Sequence, residues 1–338
     1  VKHELLDNML HGRVTATKEA LEKMDPLEKP ISAMRVTARR YLRTGKEKMA
    51  WLLLDQLAQL ENDAWVTGQL EKLAKGAQLS NYQLAKVGYP FRPVRRKSAY
   101  EPDRNKTLYL LHNSLPYHSA GYSTRTHGLL KSVRDLGWDV HGVTRLGYPY
   151  DMPKFDDLTE IEPIDVVDGV PYHRLSTQPG IEKKAPIQRY VGRYSEELAK
   201  LASQEQPFLI HAASNHWNGL TAVETANRLG LPSVYEVRGL WEVTRGSRDP
   251  EWAKGGMYRF MARMEADAAK QATRVFTITN ALRDELVARG VDSSKIRVLP
   301  NGVDGLRFAP NDPDYSLKRA LGLGDKTVIG YVGSVLDY

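Results

Sequence analysis

The segment KTLYLLHNSLPYHSAGYSTRTHGLLKSVRDLGWDVHGV, residues 106–143, leaves the chain few folds to choose from. Its apolar run at 108–111 has the length and turn-bounded character of a strand buried on both faces. A polar loop from His112 to Gly121 follows. Beyond Ser123 and Thr124, which suit a helix start, Leu129, Leu130, Val133 and Leu136 recur at helical spacing until Gly137. Residues 138–143 then read as a second strand. Strand, loop, helix, strand is the unit of a parallel sheet, and such sheets hold ligands beyond the carboxyl ends of their strands. The pattern directs attention to 112–121.

The alternation continues. Residues 161–167 and 170–174 read as short strands joined by the turn pair Asp168-Gly169. Ile187, Tyr190, Val191, Tyr194, Leu198 and Leu201 mark one face of a long helix. Strands are expected at 208–212, 232–237, 274–279 and 296–299, with helices reaching Leu229, around 252–271 and at 281–289. This predicts an α/β fold, a Rossmann-like doubly wound parallel sheet over 107–300. Residues 1–87 read as wholly helical, broken at Gly12, Pro26, Pro30, Gly45 and Gly76, and suit a packing or partner-binding module. Between them, 88–106 holds Pro90, Pro93 and Pro102 among Arg92, Arg95, Arg96, Lys97, Arg104 and Lys106, a basic linker, solvated or touching anionic lipid. Residues 301–338 read as a connector, a short helix at 316–321 and a strand at 327–332 that opens a second sheet.

The 48 Lys+Arg against 41 Asp+Glu give a formal +7, which favours anionic partners such as nucleotides or acidic lipid. The absence of cysteine excludes disulfides and thiolate chemistry. No apolar run approaches the ~20 residues of a membrane-spanning helix, so a cytoplasmic protein, peripheral at the inner membrane face, is expected. No G-x-G-x-x-G or G-x-x-x-x-G-K-[ST] phosphate loop is present; residues 322–327 imitate one but precede a strand. His211 and His216 have the wrong spacing for a helical metal pair, and no metal is expected. His112 and His118 share the first loop and can orient a hydroxylated substrate or act as acid or base. Ala120-Gly121 before a helix allows close backbone approach and an anion at the helix end, a plain turn being the alternative. Arg238, Trp241 and Glu242 follow a strand and can hold a polar substrate; Arg238 and Glu242 can equally form a structural ion pair.

In order and spacing, SLPYHSAGYSTRTHGLL, TRLGYPYD, HAASNHWNGL, YEVRGLWEVTRGSRDP, FTITNALRDELVARGV, KIRVLPNGVD and VIGYVGS resemble the family 4 glycosyltransferases of the GT-B fold, over about residues 106–338. The resemblance implies two Rossmann-like domains facing a cleft, with a nucleotide sugar held mainly by the second and an acceptor by the first. It also implies transfer with retention, without metal or other cofactor, the leaving diphosphate being met by helix ends and basic side chains. A UDP-sugar is the favoured co-substrate. Carried over by position, Gly121 matches the second glycine of a donor-phosphate loop, with Ala120 in place of the first. Arg238 falls where many members have a histidine near the transferred sugar, and with His118 is the catalytic candidate. Asn301 and Gly302 match the hinge, and Gly333 and Ser334 the start of the diphosphate loop. His112, Asn113, Asn215, His216, Trp241 and Glu242 are acceptor-side candidates. The basic residues and paired glutamates that follow that loop in the family would lie beyond Tyr338, so inefficient transfer by this chain alone is expected. The expected acceptor is a glycan or a lipid-linked glycan of bacterial polysaccharide biosynthesis, at an anionic membrane surface. A protein partner is expected through the helical region and no nucleic acid. A sugar-nucleotide epimerase and a non-catalytic glycan- or protein-binding scaffold are the alternatives.

Overall fold

The computed structural model describes residues 14–24, 29–43, 46–76, 79–152, 155, 160–176, 182–306 and 308–331. Gly333, Ser334 and the helix breaks expected at Gly12, Pro26 and Gly45 lie outside them. Helices α1 (Val14–Lys23), α2 (Ile31–Arg43), α3 (Glu47–Leu60) and α4 (Ala64–Gly76) come first. Trp51, Leu53, Leu54 and Leu57 of α3 meet Met34 and Ala38 of α2 and Val66 and Leu73 of α4 in a small core of their own. Arg35 of α2 closes it by donating to Glu61 at 2.8 Å and to Asp63, both in the α3–α4 turn.

The main body is one sheet of eight strands: β1 (Asp103–Leu111), β2 (Asp139–Thr144), β3 (Ile164–Val167), β4 (Val170–His173), β5 (Pro207–Ala213), β6 (Ser233–Val237), β7 (Arg274–Thr277) and β8 (Ile296–Val298). Their order is β3-β4-β2-β1-β5-β6-β7-β8, and every pair is parallel except β3 with β4. That hairpin turns on Asp168 (φ 47°) and Gly169 (φ 76°), the two positive angles that a tight two-residue turn requires. Alternate residues of β1 face opposite layers. Leu108 and Leu110 join the core under α7 (Ile187–Glu205) and α8 (His216–Leu229), while Tyr109 and Leu111 pack with Leu130 of α6 (Gly121–Asp135). The doubly wound parallel sheet expected from the sequence is present.

Several elements differ from expectation. The helix expected around 252–271 is split into α10 (Pro250–Ala253) and α11 (Gly256–Gln271), because the Gly255-Gly256 pair favours a break, and α9 (Trp241–Arg248) precedes them. Strand β7 stops at Thr277 because Thr279 caps α12 (Asn280–Ala288), its hydroxyl accepting from the Leu282 N–H at 3.2 Å. Beyond α13 (Tyr315–Ala320), residues 327–331 form no strand; Val328 and Ile329 are exposed, and no neighbouring strand takes their backbone hydrogen bonds.

The basic segment before β1 is a strap whose backbone is fixed to the domain. Helix α5 (Asn81–Val87) leads into it and, with Leu79, sends Leu84 into the main core beside α11. The Tyr89 N–H then donates to Asp267 at 2.8 Å. Arg95 and Ala99 donate to the carbonyls of Asn227 and Leu229 at the end of α8, both at 2.8 Å. Gly230 lies beneath it at φ 71°, where a Cβ would stand 2.6 Å from the Lys97 carbonyl oxygen.

One charged network ties the centre together. Glu236, the last but one residue of β6 and almost fully buried, accepts from Tyr109 of β1, from Arg125 of α6 at 2.8 Å and from Arg238 at 3.0 Å. Arg238 also donates to Thr126 at 2.6 Å and to the Tyr109 hydroxyl at 2.8 Å. Burial pushes the Glu236 carboxyl up, but Arg238 overrides it and brings the pKa down to about 2.

Two outcomes are expected. Leu84→Ala removes a fully buried side chain and costs about 2–5 kcal/mol in denaturant unfolding if α5 is part of the sheet domain's core. Glu236 has a folded pKa of about 2 against an unfolded value near 4.5. Its contribution is therefore complete above pH 4.5 and is lost as pH falls toward 2. Glu236→Gln should lower stability at pH 7 by about 3–5 kcal/mol and flatten the decline between those pH values.

Candidate functional site

The carboxyl ends of β1, β2, β5 and β6 lie side by side, and the loops that leave them build one polar and aromatic corner. His112 follows β1. Its ring lies edge-on to Trp241 at 5.1 Å and nearly parallel to Trp217 at 6.2 Å, and the two tryptophans meet at 6.2 Å. Trp217 is placed by the start of α8, where the Asn215 side chain caps the Trp217 N–H at 3.2 Å. Trp241 opens α9 and remains 42% exposed, so one aromatic face is available to a ligand.

The β2 loop adds charge. Arg145 is held by Asp151 at 2.7 Å, Asp151 also takes Lys184 at 2.6 Å, and Lys184 sits 5.1 Å over the Trp217 ring. Arg174 fixes the loop after His112 by donating to Ser114 Oγ at 2.7 Å and to the Leu115 carbonyl at 3.0 Å. Among the described residues, four polar atoms here are buried without a partner: His112 Nδ1, Asn113 Oδ1, Asn215 Nδ2 and Arg145 Nη1. Unpaired buried groups cost free energy, and their concentration in one corner marks a place that a ligand completes. Burial, with Arg145, Lys184 and His118 nearby, holds the His112 pKa well below its ordinary value. The imidazole is neutral at physiological pH and suited to exchanging a hydrogen bond with a hydroxyl.

Gly121 opens α6 on the same side of the sheet. Ala120 supplies no side-chain cap, and a Cβ added at Gly121 would meet nothing within 4 Å. The first turn of α6 is therefore open to an anion. The Tyr122 hydroxyl of that turn accepts from the His112 N–H at 3.3 Å and donates to the Ser214 carbonyl at 2.9 Å, which ties the helix end to the corner.

Other expected site residues stand elsewhere or turn inward. Every guanidinium nitrogen of Arg238 donates to Glu236, Thr126 or Tyr109, so this side chain secures α6 to the sheet. Glu242 is fully buried against Arg289 at 2.6 Å, and burial, then Glu265, raises its pKa. His216 is buried on Glu265, whereas His211 lies tilted against Tyr109 with its Nε2 3.7 Å from Glu236 and without a hydrogen-bond partner, so the two histidines stand in different surroundings. His118 is half-buried, its N–H donating to the Ser114 carbonyl at 3.0 Å. Asn301 and Gly302 are exposed. Arg145, Asp151, Lys184 and Trp217 are functional-site residues not expected from the sequence, although Arg145 and Asp151 lie within the TRLGYPYD motif. Glu236 is another, and a lone acid in an apolar strand is itself a signal of a paired buried charge.

Among the described residues no helix is long and apolar enough to cross a membrane. No curated protein matches the chain in sequence. Among solved structures, sucrose-phosphate synthase from Thermosynechococcus elongatus is similar at 17% identity and TM-score 0.49, over 65% of this chain and 53% of that one. Anabaena HepE, in complex with UDP-glucose, is similar at 16% identity and TM-score 0.42, over 65% and 50%. The UDP-GlcNAc 2-epimerase of Methanocaldococcus jannaschii follows at 15% and 0.37, over 58% and 45%. The chain thus spans about half the length of these proteins. Residues 120–302, more than half of the chain and including α6, Trp217, Trp241 and Glu236 with Arg125 and Arg238, match the glycosyl transferase 4-like domain, and the chain belongs to that family.

Proposed function

We propose that the chain is the acceptor-side part of a retaining glycosyltransferase that moves a sugar from a UDP-sugar to a glycan or lipid-linked glycan. The observation that carries this reading is the corner formed by His112, Asn113, Arg145, Asn215, Trp217 and Trp241, where unpaired polar atoms lie beside aromatic rings. Sugars present that chemistry in reverse: hydroxyls that exchange hydrogen bonds and C–H faces that pack on aromatic rings. The first turn of α6 at Gly121 meets the donor diphosphate, which gains negative charge as the glycosidic bond loosens. No metal takes part in this step, and the second domain completes the diphosphate contacts. A lipid-linked acceptor would bring the chain to an anionic membrane face.

The test is nucleotide release from UDP-, GDP- and ADP-sugars by the protein of the complete reading frame, with and without an acceptor extract. Release that needs the extract supports transfer, and the responding sugar names the donor. An isomerised sugar nucleotide formed without acceptor favours an epimerase instead, and no response to any donor leaves a non-catalytic binding role. If transfer is found, Trp241→Ala should raise acceptor KM about tenfold, the loss of roughly 1.4 kcal/mol of contact, with thermal stability nearly unchanged. Gly121→Val should keep the fold, since its Cβ points into open space, and lower kcat/KM at least about tenfold. Undiminished transfer by Gly121→Val would show that the donor does not approach this helix end.

A further inference from the structure

We propose that His141, His173 and Glu205 form a binding site for a divalent cation of the zinc class, set toward the amino ends of β1 and β2. The three side chains come from β2, the end of β4 and the last residue of α7. Their donor atoms all lie within 4.8 Å of one another. His141 Nδ1 stands 2.9 Å from His173 Nε2 and 3.7 Å from Glu205 Oε2. In a tetrahedral site with bonds of about 2.0–2.2 Å, neighbouring ligand atoms are roughly 3.3–3.5 Å apart. The two observed separations bracket that value, and the His173–Glu205 separation is at most 4.8 Å, so rotation of these side chains seats an ion.

The surroundings fit the same role. Asp139 Oδ1 lies 2.9 Å from His141 Nε2 and is itself held by Arg134 at 2.8 Å. A carboxylate in that position fixes the proton on Nε2 and turns the Nδ1 lone pair toward His173 and Glu205, as in carboxylate–histidine–metal arrangements. His141 Nδ1 and His173 Nε2 share a proton across their 2.9 Å contact, and a metal ion takes that proton's place between them. Glu205 ends α7, where the helix's negative pole adds to the attraction for a cation. His141 and Glu205 keep 14% and 22% of their side chains exposed, which leaves an entry path and room for a water as fourth ligand.

A cation is already present in this network. Lys106 Nζ lies 2.9 Å from Glu205 Oε2 and 3.4 Å from Asp139 Oδ2. A metal ion would take Glu205 and leave Lys106 to Asp139, so Lys106 competes with it. Two imidazoles and one carboxylate select zinc, cobalt or nickel over magnesium or calcium.

The experiment uses the whole chain without an oligohistidine tag. Co2+ is titrated and followed by visible absorption, and Zn2+ by calorimetry and thermal unfolding at pH 7.5. One equivalent should bind with tetrahedral-type Co2+ absorption, Zn2+ should raise Tm, and Mg2+ should do neither. His141→Gln and Glu205→Gln should each weaken binding about 10–100-fold, and Lys106→Met should strengthen it. Tm measured without metal shows whether each variant is folded. Absence of stoichiometric binding, or binding that survives both His141→Gln and Glu205→Gln, overturns the proposal. The glycosyl-transfer reading is independent of either result.

Discussion

The Glu236 carboxylate sits near the carboxyl end of a central strand, and the geometry of the corner depends on its charge being matched. A buried ionised acid is tolerable only when fully paired, and here the pairing groups are drawn from β1, α6 and the loop after β6. Each partner is also a positioning device. Arg125 and the Arg238–Thr126 contact pull the first turns of α6 onto the sheet, and the Arg238 N–H donates to Ser214 Oγ, fixing the loop after β5. Three loops that could move independently are therefore referred to one charge. The open helix end at Gly121 and the His112–Trp241 corner keep their relation because of it.

How far the chain could be read without its structure follows from the range of the interactions involved. Local patterns were sufficient for the sheet: alternating apolar runs, helix stops at glycine and the Asp168-Gly169 turn all act within a few residues. The strap was read as a basic linker because prolines and arginines look alike in solvent and docked on a surface. What decides is a set of backbone bonds to Asn227 and Leu229, well over a hundred residues away, and the positive φ of Gly230. The break at Gly255-Gly256 is not part of the helical periodicity read over 252–271, which continues on both sides of it. Residues 327–331 have the composition of a strand, but a strand is a pairing, and composition does not supply the partner.

The site shows the same division. Position after a strand identifies His112, Asn113, Asn215 and Trp241, which the structure places in or beside the corner. It also selected Arg238, Glu242 and His216, because a sequence shows that a charged or polar residue follows a strand but not which way it turns. Their carboxylate or arginine partners lie far along the chain: Arg289 is 47 residues from Glu242, and Glu265 is 49 from His216. Lys184 shows the complementary case, since its ion pair with Asp151 forms only when the β2 loop meets the segment before α7, while Arg145 and Asp151 pair within that loop.

The charge around the corner constrains how a reaction there would be shared between two halves. Arg145 and Lys184 face Asp151, Arg174 faces Asp165, and Arg125 and Arg238 face Glu236. His112 is neutral. Five cations thus face three carboxylates around the corner, an excess of two, and more of the formal +7 is carried by the exposed Arg95, Arg96 and Lys97 of the strap and Arg39 and Arg43 of α2. Because each of the five cations around the corner is already held by a carboxylate, the corner suits a hydroxyl-rich molecule, with Arg145 Nη1 and the amides of α6 as its reserve for a phosphate. A departing diphosphate carries more negative charge than those groups alone would offset. In the proposed reaction most of the stabilisation of that leaving group must come from the donor side, while this part supplies the acceptor's position and one helix end.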